Sequence, residues 1–287
     1  MYRKDNRHFY SNFAEIKKYT DGYYRLVVYK TDKVFEFPDR EKQKENVNDE
    51  KLENNISRAR STIFEIAMCN DWQFFVTLTL SPKKYDRYNL EKFRKDLARF
   101  IKDYNYNHGL QIKYMLVPEQ HQDGAWHMHG FIKGLSEREY EAFRIQFPNK
   151  LPKYIVDKLR EGQEVFNWIQ FADRFGYTIL EPVRSKEAAS NYVMKYISKN
   201  LAKSIKELGA HLYYCSKGLK RAEFIIREER IRDAFFPDYE NDYLAVKRYR
   251  SLDEALQVFD LTEYTGNVSD LKQDLMFRRY AVAEVGR

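Results

Sequence analysis

Two histidines one residue apart, His127 and His129, sit in the run Trp126-His127-Met128-His129-Gly130-Phe131-Ile132. Side chains on a strand alternate faces. His127 and His129 therefore point the same way, while Trp126, Met128 and Ile132 turn to the other side. Imidazoles about 7 Å apart on one strand face can hold a single metal ion. The stretch before them, Met115–Gln120, reads as the partner strand, with the Asp123-Gly124 pair marking a hairpin turn at Gln122–Ala125. If that loop has an odd number of residues, His121 is expected opposite His127 and Glu119 opposite His129. Glu119, His127 and His129 are then candidate ligands for one divalent cation, with His121 and Gln120 as further donors. The competing reading is a surface hairpin with scattered polar residues.

A second chemical pattern lies in Ser185–Leu201. Ser185 is placed to cap a helix, and Glu187 in its first turn suits the helix dipole. At 100° per residue, Tyr192, Lys195, Tyr196 and Lys199 share one sector, and Ala189, Val193, Ile197 and Leu201 fill the next. The second sector can pack, and the first then presents two phenols and two ammonium groups. A phenol, with a pKa near 10, is a poor nucleophile at neutral pH unless its ionisation or its electrophile is assisted. A neighbouring lysine offers such help, although an amphipathic helix with a Tyr/Lys flank is ordinary in a chain this rich in both.

Other segments must position these groups. Phe74–Leu80 reads as a strand with Phe74, Val76, Leu78 and Leu80 on one face and Phe75, Thr77 and Thr79 on the other, which suits a sheet covered by helices on one side. Helices are expected over Ser57–Asn70, over Leu90–Asn105 with its stripe Leu90, Phe93, Leu97, Phe100, Ile101 and Tyr104, and near Tyr154–Gly162. Ser136 with Glu139 looks like a capping box opening a helix over Ser136–Phe147. Tyr177–Val183 is a further strand, Tyr213–Ile226 a strand pair, and Ser251 caps a helix over Leu252–Phe259. At the start, Tyr23–Lys30 and Lys33–Phe37 are strand-like around a Thr31-Asp32 turn. The polar stretch Asp39–Asn55 reads as a linker or the exposed start of a helix. The arrangement expected is residues 1–55 as a β-rich leader and linker, 56–227 as the chemical domain, and 228–287 as a helical C-terminal extension.

Composition narrows the class of partner. The chain has 287 residues, with 50 Lys and Arg against 43 Asp and Glu, and 23 Tyr and 20 Phe. A basic excess suits a nucleic-acid partner, and surface aromatics suit stacking on bases. Two cysteines, Cys69 and Cys215, give no disulfide framework and no cysteine-based zinc cluster. No secretory leader, membrane-spanning run or phosphate-binding Gly-Lys-Ser/Thr loop is evident, so a cytoplasmic protein with no membrane partner and no ATPase motor is expected.

The order of the three patterns carries a resemblance. Phe75-Val76-Thr77-Leu78-Thr79, then the His127/His129 pair, then Tyr192-x-x-Lys195-Tyr196-x-x-Lys199 resembles the HUH endonucleases. It most resembles the rolling-circle replication initiators of phages and plasmids in their two-tyrosine branch. The resemblance spans about residues 57–220. It implies an α+β, ferredoxin-like domain with an antiparallel five-stranded sheet, helices on one face and the metal site on the other. It further implies Mg²⁺ or Mn²⁺ at Glu119, His127 and His129, with Tyr192 and Tyr196 as nucleophiles assisted by Lys195 and Lys199. The implied product is a 5′-phosphotyrosyl link that a second transfer resolves. Single-stranded or cruciform origin DNA would be the substrate in a bacterial cytoplasm, with a host helicase and polymerase as partners.

Two other classes stay open on sequence. A two-tyrosine transposase or a relaxase would use the same chemistry, although relaxases usually place the tyrosine before the histidines. A non-enzymatic sheet that binds single-stranded nucleic acid would use the aromatics alone.

Overall fold

A computed structural model describes residues 8–10, 13–20, 22–29, 33–35, 49–146, 151–197, 211–230, 236–240 and 244–258. In chain order its elements begin with strands β1 (His8–Tyr10), β2 (Phe13–Thr20), β3 (Tyr23–Tyr29) and β4 (Lys33–Phe35), followed by helix α1 (Asp49–Cys69) and β5 (Phe74–Leu80). Next come α2 (Leu90–His108), β6 (Lys113–Gln120), β7 (Trp126–Lys133), β8 (Tyr140–Ala142), α3 (Lys153–Arg160), β9 (Phe166–Trp168), α4 (Ile169–Arg174), β10 (Gly176–Pro182) and α5 (Lys186–Val193). The remainder is β11 (Tyr214–Cys215), β12 (Glu223–Arg230), β13 (Tyr239–Glu240), β14 (Leu244–Tyr249) and α6 (Leu252–Leu256).

The chain divides into two compact units, residues 45–221 and residues 1–44 with 222–287. This differs from the serial arrangement of leader, domain and extension. In the second unit, β2 and β3 from the start of the chain join β12, β14 and β13 from its end in a five-stranded antiparallel sheet, ordered β12-β2-β3-β14-β13. Ala14, Ile16, Leu26, Val28 and Ile226 are buried with Ala255 in that unit's core. The C-terminal part is thus largely strand in its described residues, with helix only at α6. The Thr31-Asp32 turn and residues 259–287 lie outside the described residues.

The unit that carries the histidines holds a seven-stranded sheet, not five, ordered β11-β6-β7-β5-β10-β9-β8, with every pair antiparallel. Its strands form where the sequence alternates or is β-branched. In β5, Phe74, Val76, Leu78 and Leu80 are buried on one face. That face is covered by α2 and α4, whose Phe93 and Phe171 rings meet at 6.4 Å and whose Phe100 meets Trp168 at 5.7 Å. Helix α2 starts where the Asn89 side chain accepts the Lys92 N–H, and stops at Gly109 in the left-handed region with φ 63°.

Helices also lie over the opposite face, contrary to the one-sided covering expected. Tyr192 of α5 meets Phe75 edge-on at 5.2 Å. Helix α1 braces α5 and begins at Asp49, within the polar stretch. The physical reason is that this face is apolar at one end, where Phe75, Met115, Val117 and Phe131 are buried and need a cover.

Residues Ser136–Phe147 do not form the helix expected. Ser136 does bond Glu139 at 3.2 Å, but within a single 3₁₀ turn, Glu137–Glu139. The chain then runs into β8, which pairs with β9 while Tyr140 packs on Phe74 at 4.9 Å. Burial of that ring and a strand partner outweigh the local capping signal. The tyrosine helix is also shorter than expected, ending at Val193 and tightening into a 3₁₀ turn, Met194–Tyr196.

Candidate active site

The hairpin β6–β7 closes through a three-residue loop, Gln122–Gly124. His121 N–H donates to the Ala125 carbonyl at 2.9 Å, Gly124 N–H donates to the His121 carbonyl at 2.9 Å, and Gly124 has φ 82°. This is a turn followed by a left-handed residue, the geometry that Asp-Gly favours in three-residue loops. The loop is odd, so the faces are those expected, but the register is two residues away from the expected pairing. Glu119 lies opposite His127 and Val117 opposite His129, while His121 lies beyond the last β6 residue.

Glu119 nevertheless reaches His129 diagonally, and His129 Nε2 stands 2.7 Å from Glu119 Oε2. His121 stacks on His127 with ring centroids 3.7 Å apart and 4° between planes, and its Nε2 is 3.8 Å from Glu119 Oε2. The hydrogen bond from His129 holds the Glu119 carboxyl below the usual carboxylate range, against the opposing effect of burial. Burial pushes the His127 imidazole down to about 4, with the neighbouring His121 and His129 adding to the shift, so it is neutral at pH 7. A neutral imidazole is the ligand form.

Strand β5 supplies partners that the residue pattern alone does not assign. Its register sets Thr77 opposite His129 and Thr79 opposite His127. The Thr77 hydroxyl lies 3.2 Å from His129 Nδ1, and the Thr79 hydroxyl 3.1 Å from His127 Nδ1. A hydroxyl both donates and accepts, so either ring tautomer finds a partner. When Nδ1–H donates to threonine, the Nε2 lone pair is left facing Glu119 or a ligand. The signal in the sequence is two threonines on one strand face. Their pairing with the histidines depends on the sheet order β7-β5, which one sequence does not reveal.

The tyrosines arrive at the same place. The Ser185 side chain accepts the Ala188 N–H at 3.2 Å and starts α5, and buried Val193 and Ile197 seat it. The Tyr196 ring stacks on His129 with centroids 4.0 Å apart and 5° between planes. Its hydroxyl donates to the Tyr192 hydroxyl at 3.1 Å, and the two rings meet edge-on at 5.6 Å. Burial, then the bond to Tyr192, raises the pKa of the Tyr196 phenol. Tyr192 is 46% exposed, and Lys195 Nζ lies 5.3 Å from its ring centroid. Lys199 lies outside the described residues. Arg60 of α1 donates to the Ile197 carbonyl at 2.6 Å, which ties down the turn that carries Tyr196.

The structure therefore brings Glu119, His127, His129, Tyr192 and Tyr196 together, with Lys195 beside them. As they stand, no group of three His, Cys, Asp or Glu side chains among the described residues closes on one ion. Glu119 is engaged by His129 instead. The donor set still suits Mg²⁺ or Mn²⁺ in kind: one carboxylate and two imidazoles with their Nδ1 atoms already bonded, next to a third imidazole. Occupancy would require the carboxylate to give up its hydrogen bond with His129.

Residues 73–201, somewhat under half of the chain, match the family of replication-associated proteins of the ORF2 type. The matched stretch runs from β5 through the histidine hairpin to the tyrosine helix. The match supports a replication-associated protein of the initiator type. No curated protein and no solved structure matches the chain. Among the described residues, no helix is long and apolar enough to cross a membrane.

Proposed function

We propose that this chain initiates rolling-circle replication by cutting one DNA strand through tyrosine attack, in the manner of the two-tyrosine HUH endonucleases. The observation that carries the reading is the stacking of Tyr196 on His129, with its hydroxyl bonded to that of Tyr192. Two phenols and the His/Glu cluster then face one phosphate-sized space. A tyrosine oxygen attacks the scissile phosphorus, and the bond to the 3′ oxygen breaks. The phenol's proton is lost and the 3′ oxygen gains one, leaving a free 3′-OH and a 5′-phosphotyrosyl ester. A divalent ion held by Glu119, His127 and His129 would draw charge from the phosphate oxygens as it reacts.

The residues supply the remainder. Lys195 lies close enough to favour the ionised form of Tyr192, and its charge suits a phosphate. Lys199 repeats the Tyr-x-x-Lys spacing and is proposed to serve Tyr196. Thr77 and Thr79 orient the imidazoles. The ester conserves the energy of the broken bond, so a 3′-OH can later displace the tyrosine and rejoin strands without ATP. Origin DNA in single-stranded or cruciform form is the proposed substrate, in a host cytoplasm with that host's helicase and polymerase.

The test is conversion of a supercoiled plasmid carrying the cognate origin to its nicked form. Nicking is expected with Mg²⁺ or Mn²⁺, and is expected to vanish in EDTA and in the His127→Ala/His129→Ala variant. Nicking by the wild-type protein in EDTA would remove the metal from the account, and no nicking under any condition would remove the reaction.

A further inference from the structure

The histidine-bearing face of the sheet continues past the site. Antiparallel pairing sets Tyr177 of β10 opposite Thr79 and Ile179 opposite Thr77, so these side chains share the face of His127 and His129. Beyond them the start of α3 overhangs the sheet and encloses a cleft of about 440 Å³. Thr79, Tyr177, Ile179 and Asn167 form its floor, and Tyr154 of α3 and Phe143 its sides. Helix α3 is held there by an ion pair from Lys158 to Glu181 of β10.

The cleft is suited to one kind of occupant. Its volume falls within the range of small-molecule sites, about 300–1,000 Å³. Its lining carries one cation, Lys84, and one carboxylate, Asp173, so its formal charges balance and a bare phosphate has no preference for it. Its large rings are unusually open: Tyr177 is 63% exposed and Tyr154 50% exposed. Open phenol rings around a neutral hollow suit a flat, uncharged aromatic group. The cleft is also continuous with the candidate active site, because Thr79 both lines it and bonds His127 at 3.1 Å. Tyr177 is two strands from His127, about 10 Å away at the usual strand spacing.

We propose that this cleft takes a nucleobase of the single strand, turned out beside the phosphate that lies at the histidines and held against Tyr177 and Tyr154. The proposal rests on the reading of the chain as a single-strand nickase and adds the place where a base is gripped. Stacking of this kind tolerates any base, and pockets of this depth add preference through size and edge contacts.

The experiment uses the full chain in chelator, so that no strand is cut. Its probes are a short fluorescein-labelled oligothymidylate and an abasic oligonucleotide of the same length, with binding followed by anisotropy. The wild-type protein is expected to prefer the oligothymidylate. In the Tyr177→Ala/Tyr154→Ala variant, affinity for it is expected to fall about 5- to 150-fold while affinity for the abasic probe stays within about twofold. Both rings are half exposed or more, and a thermal melt checks that the fold is intact. Equal weakening toward both probes would overturn the proposal, since the rings would then act on backbone or fold. Unchanged binding to both would overturn it too, while leaving the nicking reading in place. A wild-type protein that binds neither probe would overturn both readings.

Discussion

Replacing Thr77 with valine removes one hydroxyl and little else. The side chains are nearly isosteric, so the β5–β7 pairing is kept, and the change falls on His129 Nδ1, 3.2 Å from that hydroxyl. His129 is only 7% exposed, so water has little access to replace the lost partner. An ordinary hydrogen bond contributes about 1 kcal/mol, and a buried group left unpaired costs about 1–3 kcal/mol. If that cost falls on the ligand-competent orientation of the ring, metal affinity drops about 5- to 150-fold. Partners of metal-bound histidines typically contribute about 10- to 100-fold, in agreement. Thr79→Val acts on His127, which is less enclosed, so water can partly substitute and a loss of about tenfold or less is expected. The assay is calorimetric titration of the DNA-free protein with Mn²⁺, alongside a thermal melt. Thr77→Ser, which restores the hydroxyl, should recover most of the affinity. A Thr77→Val protein that melts like wild type and binds Mn²⁺ equally well would refute the orienting role.

Three further outcomes are expected. A Cβ at Gly130 would lie 2.0 Å from the Met115 carbonyl oxygen, so Gly130→Ala should cost at least about 1–3 kcal/mol and show as a lower melting temperature together with lost metal binding; an unchanged melt would mean that β6 gives way freely. Tyr192→Phe and Tyr196→Phe should each still form a covalent adduct with a labelled origin oligonucleotide and complete one cleavage, yet fail the second transfer; an inactive Tyr192→Phe beside a Tyr196→Phe protein that runs repeated rounds would leave Tyr192 as the sole nucleophile. The basic excess predicts that the logarithm of single-strand affinity falls linearly with the logarithm of salt concentration, and a flat response would remove phosphate contacts from the account.

Local periodicity makes part of the site legible in the sequence. The common face of His127 and His129 follows from a period of two, and the meeting of Tyr192 with Tyr196 from a spacing of four on a helix. Seating of α5 through Val193 and Ile197 follows from the same helical wheel. Register is less legible. The Asp123-Gly124 signal locates a turn but not its length, and a three-residue loop slides Glu119 opposite His127. Ser136 and Glu139 satisfy a capping pattern, but the same bond closes a single turn when Tyr140 has a place against Phe74. Long-range partners leave no local trace: Arg60 and Ile197 are 137 residues apart in the chain. Strand β2 hides because Lys17 and Lys18 break its apolar alternation and its partner β12 comes from the far end of the chain.

The measurement closest to the central claim is peptide mapping of the covalent product. The full-length protein is incubated with Mn²⁺ and an origin oligonucleotide, trapped in denaturant and digested. The account predicts that a nucleotide remnant is found on Tyr192 or Tyr196, joined through its 5′ phosphate, with a free 3′-OH on the released fragment. Strand cleavage with no protein-bound DNA, or a remnant on any residue other than these two, would contradict it.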